Sequence, residues 1–162
     1  MDCPLNNISP AFTANHRSAI SETNLLRVEQ RIKEELMEGN YVKVENPPLI
    51  TSALAAIDKP DGDIRLIHDL SRQFNGSVND FATKDACEYE TLSDAITLLT
   101  PSSYMAKVDL KSAYRSVEIR HEHQTLTGLQ WTFLGDSRPT TLLDKCLPFG
   151  APKSPAAFNR IT

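Results

Sequence analysis

Asp109 closes the apolar run Met105-Ala106-Lys107-Val108, which places one carboxylate at the end of a β-leaning segment. A carboxylate at such a strand end can do chemistry if it has company. Two-metal phosphoryl transfer needs at least two carboxylates holding divalent ions about 3.5 to 4 Å apart, so that attacking and leaving oxygens are both clamped. Alone, Asp109 reads more simply as a surface or capping residue. Some forty residues on stands the Pro/Gly-rich stretch Leu147-Pro148-Phe149-Gly150-Ala151-Pro152-Lys153-Ser154-Pro155, a turn that leads into a helix start. Other chemistries find less support. Cys3, Cys87 and Cys146 are far apart and form no C-x-x-C pair, so neither a disulfide framework nor a zinc ribbon is indicated and the thiols read as reduced and structural. His121 and His123 form an H-x-H without nearby cysteines, which reads as a solvated turn.

The elements that must position these residues follow from periodicity and turn chemistry. Residues 1–20 scatter Pro, Asn and Ser without a period and read as a flexible N-terminal segment. From Asn24, Leu25, Val28, Ile32 and Leu36 recur at helical spacing, and Gly39-Asn40 supplies a left-handed C-cap, predicting an amphipathic helix of about four turns. A short strand over 41–44 precedes the break at Pro47-Pro48, and a second strand covers 50–57. The turn Lys59-Pro60-Asp61-Gly62 joins it to a strand over 63–70, a β-hairpin with Lys59 near its tip and Arg65 along its second strand. Residues 71–90 read as polar and irregular. Thr91 with Asp94 has the form of a capping box opening a helix to Leu99, which Pro101 ends. Beyond it, 104–109 reads as a buried strand, 117–119, 126–133 and 140–146 as further strands, with Gly135-Asp136 as a turn. Ser154 reads as the cap of a last helix with Pro155 at its first position.

The 162 residues, 40% hydrophobic and 23% charged, are in the globular range and suffice for one domain. No apolar run approaches the roughly 20 residues of a membrane span, and no basic stretch followed by an apolar region opens the chain. The expectation is a soluble intracellular protein without a membrane partner. Net charge is −4, but residues 1–100 carry 9 Lys/Arg against 16 Asp/Glu, whereas 101–162 carry 8 against 5. The basic excess therefore lies with Asp109 and the Phe149-Gly150 turn, while the acidic balance of the whole predicts weak nucleic-acid binding by this chain alone.

Four ordered segments carry a family resemblance over roughly residues 24–162. The hairpin Lys59-Pro60-Asp61-Gly62 with Ile64-Arg65-Leu66-Ile67-His68-Asp69-Leu70-Ser71 and Ser77-Val78-Asn79-Asp80 resembles the fingers hairpin of retroelement reverse transcriptases. Asp109-Leu110-Lys111-Ser112-Ala113-Tyr114 resembles their motif A, Leu129-Gln130-Trp131 the strand that follows, and residues 147–158 their motif B. The wording is nearest to LTR-related elements, particularly tyrosine-recombinase (DIRS-type) retrotransposons. The resemblance implies an α+β fold, fingers and partial palm, with an antiparallel sheet flanked by helices. It implies a fingers-like region over 21–100 and a partial palm with inserted fingers strands over 101–162.

The resemblance also implies roles. Asp109 would ligate metal, with the Leu110 backbone carbonyl as a further oxygen ligand, in a centre of two Mg²⁺ ions. Tyr114 would lie beneath the incoming sugar and exclude a 2′-hydroxyl. Lys59 and Arg65 would contact the triphosphate of a dNTP, a point charge and a bidentate fork that both suit phosphate oxygens. Phe149 and Gly150 would line the nucleotide pocket, and Lys153 would see template phosphate. The partners of the complete enzyme would be an RNA or DNA template-primer and dNTP. The sequence departs from the family at one point that matters: it contains no Asp-Asp pair, so the Tyr-x-Asp-Asp motif C is absent and one of three expected aspartates remains. The expectation is a reverse transcriptase fragment that does not polymerise DNA as this isolated chain. The alternative is a decayed or co-opted remnant acting as a protein-interaction module.

Overall fold

The computed structural model describes residues 11–72, 77–82 and 88–161. Cys3 and Cys87, and residues 1–10 of the leading segment, lie outside the described residues. The chain is α+β. Its larger sheet has five strands in the order β1 (Ala11–Phe12), β3 (Ile50–Thr51), β6 (Gly128–Trp131), β7 (Thr140–Asp144), β2 (Tyr41–Lys43). β4 (Ala53–Asp58) and β5 (Ile64–Asp69) form a separate two-stranded antiparallel hairpin. The larger sheet is mixed and not purely antiparallel as expected: β3 runs parallel to both β1 and β6, whereas β6–β7 and β7–β2 are antiparallel.

Helix α2 (Leu25–Met37) forms where the apolar spacing predicts it, and it buries Val28 and Ile32. Those two join Tyr41, Leu54, Ile64, Leu129, Trp131 and Leu142 in one core that α2 shares with the hairpin and β6–β7. Full burial of each such side chain contributes about 1.5–3 kcal/mol. The helix ends in a Schellman pair, Gly39 N–H donating to the Leu36 carbonyl and Asn40 N–H to the Glu35 carbonyl, with Gly39 at φ +78°. Around the leading segment the sequence has no period, yet β1 and the short helix α1 (Arg17–Ile20) dock by tertiary contacts. Asn15 accepts from the Leu54 N–H and Ala19 is fully buried.

The predicted 50–57 strand is split at Ser52, its first part entering the large sheet and its second the hairpin. Residues 78–81, expected to be irregular, form helix α3 (Val78–Phe81) on a Ser77/Asp80 capping box. The Thr91/Asp94 box is present and opens α4 (Leu92–Thr97), which stops short of Leu99. Residues 117–119 make a single bridge, Glu118 to Cys146. His121 and His123 sit exposed on the one-turn-and-more 3₁₀ helix His121–Leu126, so β6 begins at Gly128.

Two further expectations fail. Residues 104–109 form no strand, and Tyr104, Met105 and Val108 are exposed. Among the described residues no strand lies beside them to complete a ladder, so their N–H and C=O groups gain more from water than from an unpaired extended line. The last helix, α5 (Lys153–Asn159), begins earlier than expected, with Pro152 at its cap position. Ser154 is inside it and donates its hydroxyl proton to the Pro148 carbonyl at 2.8 Å instead of accepting a backbone N–H. That bond folds the 148–152 turn back onto the helix.

Candidate functional site

A cleft of about 230 Å³ opens between α2, the hairpin and the segment that follows Asp109. Lys59 and Arg65 of the hairpin and the distant Phe149 line it. The hairpin turn holds Lys59 against Asp63 as an ion pair, and that ammonium keeps the Asp63 carboxyl below its usual range. Arg65 points outward from β5, its guanidinium 5.5 Å above the Phe149 ring, a cation–π geometry. Tyr114 packs against the same ring at a centroid distance of 5.2 Å, tilted by 38°, and meets Phe158 of α5 edge-on at 5.7 Å.

Gly150 explains how the motif B turn reaches the hairpin. The His68 N–H donates to the Phe149 carbonyl at 2.8 Å, and Gly150 follows at φ +120° with its backbone pressed against β5. The Gly150 carbonyl accepts from the Asn79 side chain at 2.9 Å, and the same amide group reaches Ser71. Thus α3 and β5 together seat the turn. Three of the anticipated residues (Lys59, Arg65 and Phe149) line the cleft, Tyr114 is joined to them only through its contact with the Phe149 ring, and Gly150 provides the close approach.

The other three do not join them. Asp109 and Leu110 are exposed and are not among the residues lining the cleft, whose edge begins at Lys111 and Ser112. Lys153 is an exposed residue in the first turn of α5. Among the described residues no three His, Cys, Asp or Glu side chains converge. One exposed carboxylate does not fit a two-ion Mg²⁺ centre.

Sequence reasoning missed the floor of the cleft. Arg115, next to Tyr114, has a buried side chain that hydrogen-bonds Glu35 of α2 through Nε at 3.0 Å and Asp144 of β7 through Nη1 at 2.8 Å, with Nη2 in ion-pair contact with the same Glu35 oxygen at 2.9 Å. Arg31 reaches the same Glu35 at 2.7 Å, and the Asn40 amide donates to it at 2.9 Å. Burial works against the Arg115 charge, but the Asp144 and Glu35 carboxylates outweigh it and hold the guanidinium above its usual range. Burial pushes the Asp144 carboxyl up to about 6, although Arg115 and the Cys146 N–H both favour its charge. Tyr41, beneath Arg115 at 5.3 Å, has its hydroxyl pushed up by burial and by Asp144.

A signal for this cluster existed. Glu35 falls on the same stripe of α2 as Val28 and Ile32, and Asp144 shares the inward face of β7 with Leu142, so both are charged residues at core positions. His68 also faces the cleft. Its Nε2 lies 3.0 Å from the Gly128 carbonyl, its Nδ1 has no partner among the described residues, and burial pushes the imidazole down to about 4, so it is neutral at pH 7. The buried Cys146 thiol donates to the Asn40 side chain at 3.3 Å, and burial pushes its pKa up.

No protein-family model and no curated protein matches the chain in sequence. Solved structures do match it. A foamy viral protease-reverse transcriptase in complex with double-stranded DNA aligns with a TM-score of 0.70 and 20% identity over 96% of this chain and 29% of that one. A second, the foamy viral protease-reverse transcriptase dRH in complex with double-stranded DNA, aligns with a TM-score of 0.68 and 19% identity, covering 96% of this chain and 25% of that one. The chain therefore spans between a quarter and a third of the length of the structures it matches, and over that span it has the reverse-transcriptase-like fold.

Proposed function

We propose that this chain is the fingers and first part of the palm of a retroelement reverse transcriptase, of the tyrosine-recombinase (DIRS-type) group, working inside the cell. In the complete enzyme a primer 3′-hydroxyl attacks the α-phosphate of a dNTP on an RNA or DNA template, and pyrophosphate leaves. One observation carries the reading: Lys59 and Arg65 of the hairpin meet the distant Phe149 at one cleft, and Tyr114 packs against the Phe149 ring, so that the site offers cations for a triphosphate and an aromatic pair for a sugar and base. Asp109 and the Leu110 carbonyl would hold Mg²⁺ only once further carboxylates join them. The isolated chain therefore does not extend a primer. Calorimetric titration with dATP tests the reading. Binding that weakens at least tenfold in Lys59→Ala/Arg65→Ala supports it, and heat equal to buffer dilution for the parent chain ends it.

A second reading, a non-catalytic interaction module, is favoured by one feature. Leu92, Leu98, Tyr104, Met105 and Val108 are exposed along one consecutive stretch. ANS binding or self-association of the purified chain would support that reading, and a monomer that binds no dye would exclude it.

A further inference from the structure

The geometry assigns Arg115 a positioning role: by gripping Glu35 and Asp144 it locks the one-turn helix Ala113–Ser116 so that the Tyr114 ring stays against Phe149 and Phe158. Its bearing on nucleotide choice rests on the reading proposed above, but the grip itself does not.

In a 3₁₀ helix of three residues per turn, neighbouring side chains leave the axis about 120° apart. Arg115 and Tyr114 therefore diverge, one to the floor of the cleft and one to the Phe149 and Phe158 rings. Among the described residues little else holds this turn from upstream. It starts at Ser112, which sits in the left-handed region at φ 54° with no side-chain cap. Residues 101–110 before it are exposed and belong to no strand. Downstream the main chain is tied by the Glu118–Cys146 bridge, with Leu147 N–H donating to the Val117 carbonyl. A backbone tie beyond the turn fixes where the chain goes next, not how the turn rolls about its own axis.

The guanidinium supplies the missing constraint. Nε and Nη2 both meet Glu35 Oε2, at 3.0 and 2.9 Å, and Nη1 meets Asp144 Oδ2 at 2.8 Å. A planar fork bonded in two directions fixes orientation as well as distance, which a lysine ammonium cannot do. Its anchors belong to α2 and β7, the elements whose apolar residues build the core. The roll of the Tyr114 ring is thus referred to the most buried part of the molecule.

The test reads the ring directly. In chain labelled at Tyr and Phe, NMR gives the NOEs from the Tyr114 ring to the Phe149 and Phe158 rings. Arg115→Met combined with Glu35→Gln and Asp144→Asn removes the grip without leaving a buried charge unpaired. The expected result is loss of both NOEs while the buried Trp131 signals persist, with partial retention in Arg115→Lys. Unchanged NOEs in the folded triple variant overturn the proposal. If the Trp131 signals collapse, Glu35→Gln alone decides: weaker ring NOEs support the grip, and wild-type intensities overturn it. Titration with dATP and ATP then separates the two layers. A preference for dATP that falls toward unity in Arg115→Lys supports the role in sugar choice. No binding by the parent chain ends the nucleotide reading, and the NOEs still judge the grip.

Discussion

A Cβ on Gly150 would stand 2.2 Å from the His68 carbonyl oxygen, so the turn carrying Phe149 reaches β5 only because residue 150 has no side chain. Its φ of +120° adds strain for any other residue. Gly150→Ala is expected to destabilise the fold by about 2–3 kcal/mol, lowering Tm by roughly 5–10 °C. Arg65 should also lose its Phe149 partner. Thermal unfolding followed by circular dichroism checks this, and a Tm within a degree of the parent chain contradicts the fit.

Arg115→Met should cost about 3–5 kcal/mol, because Glu35 and Asp144 would remain buried with one cation fewer between them. Urea unfolding measures it. An exposed pair such as Lys145 with Glu118 is expected to contribute less than about 1 kcal/mol. Equal costs for the two would mean that the buried cluster is no more than surface decoration.

Acid should unfold the protein partly through His68. Burial holds its imidazole neutral down to about 4 from an ordinary 6.5, while the unfolded chain takes up the proton first as pH falls. The stability tied to His68 is complete above about 6.5 and is lost toward pH 4, a span worth on the order of 3 kcal/mol. Asp144 acts with the opposite sign: its carboxyl is raised to about 6, so its contribution is full at low pH and declines as pH rises through 6. Between pH 4 and 6 the two oppose each other. Stability profiles of His68→Gln and Asp144→Asn separate them, the first flattening the acid limb and the second steepening it. Superimposable profiles for all three proteins would refute both assignments.

Limited trypsin digestion should cut first at Lys107 and Lys111. Both are exposed, and the chain from 103 to 110 has no helix or strand to hold it out of a protease cleft. Sites in α2, such as Arg31, pair with Glu34 and Glu35 and lie in a helix packed on the core. Mass spectrometry of the earliest fragments decides. First cleavage within α2 would mean that residues 103–110 are protected after all.

What the sequence by itself determined lies within a few residues of its own signal. The α2 stripe with its Gly39 stop, the Lys59-Pro60-Asp61-Gly62 hairpin and the Thr91/Asp94 box are each written in side chains that touch neighbours three to five positions away. Those interactions survive whatever the rest of the chain does. Tertiary structure decided the remainder. Residues 104–109 look like a strand by composition, but a strand exists only beside another, and among the described residues no partner reaches them. Arg115 reads as one more surface cation until Glu35, 80 residues earlier, and Asp144 close around it. The parallel placement of β3 between β1 and β6 and the meeting of Tyr114, Phe149 and Arg65 depend likewise on long-range packing. Pairing across such separations costs chain entropy and is repaid only by burial, so the choice among partners is made by the whole core and not by any local run of residues.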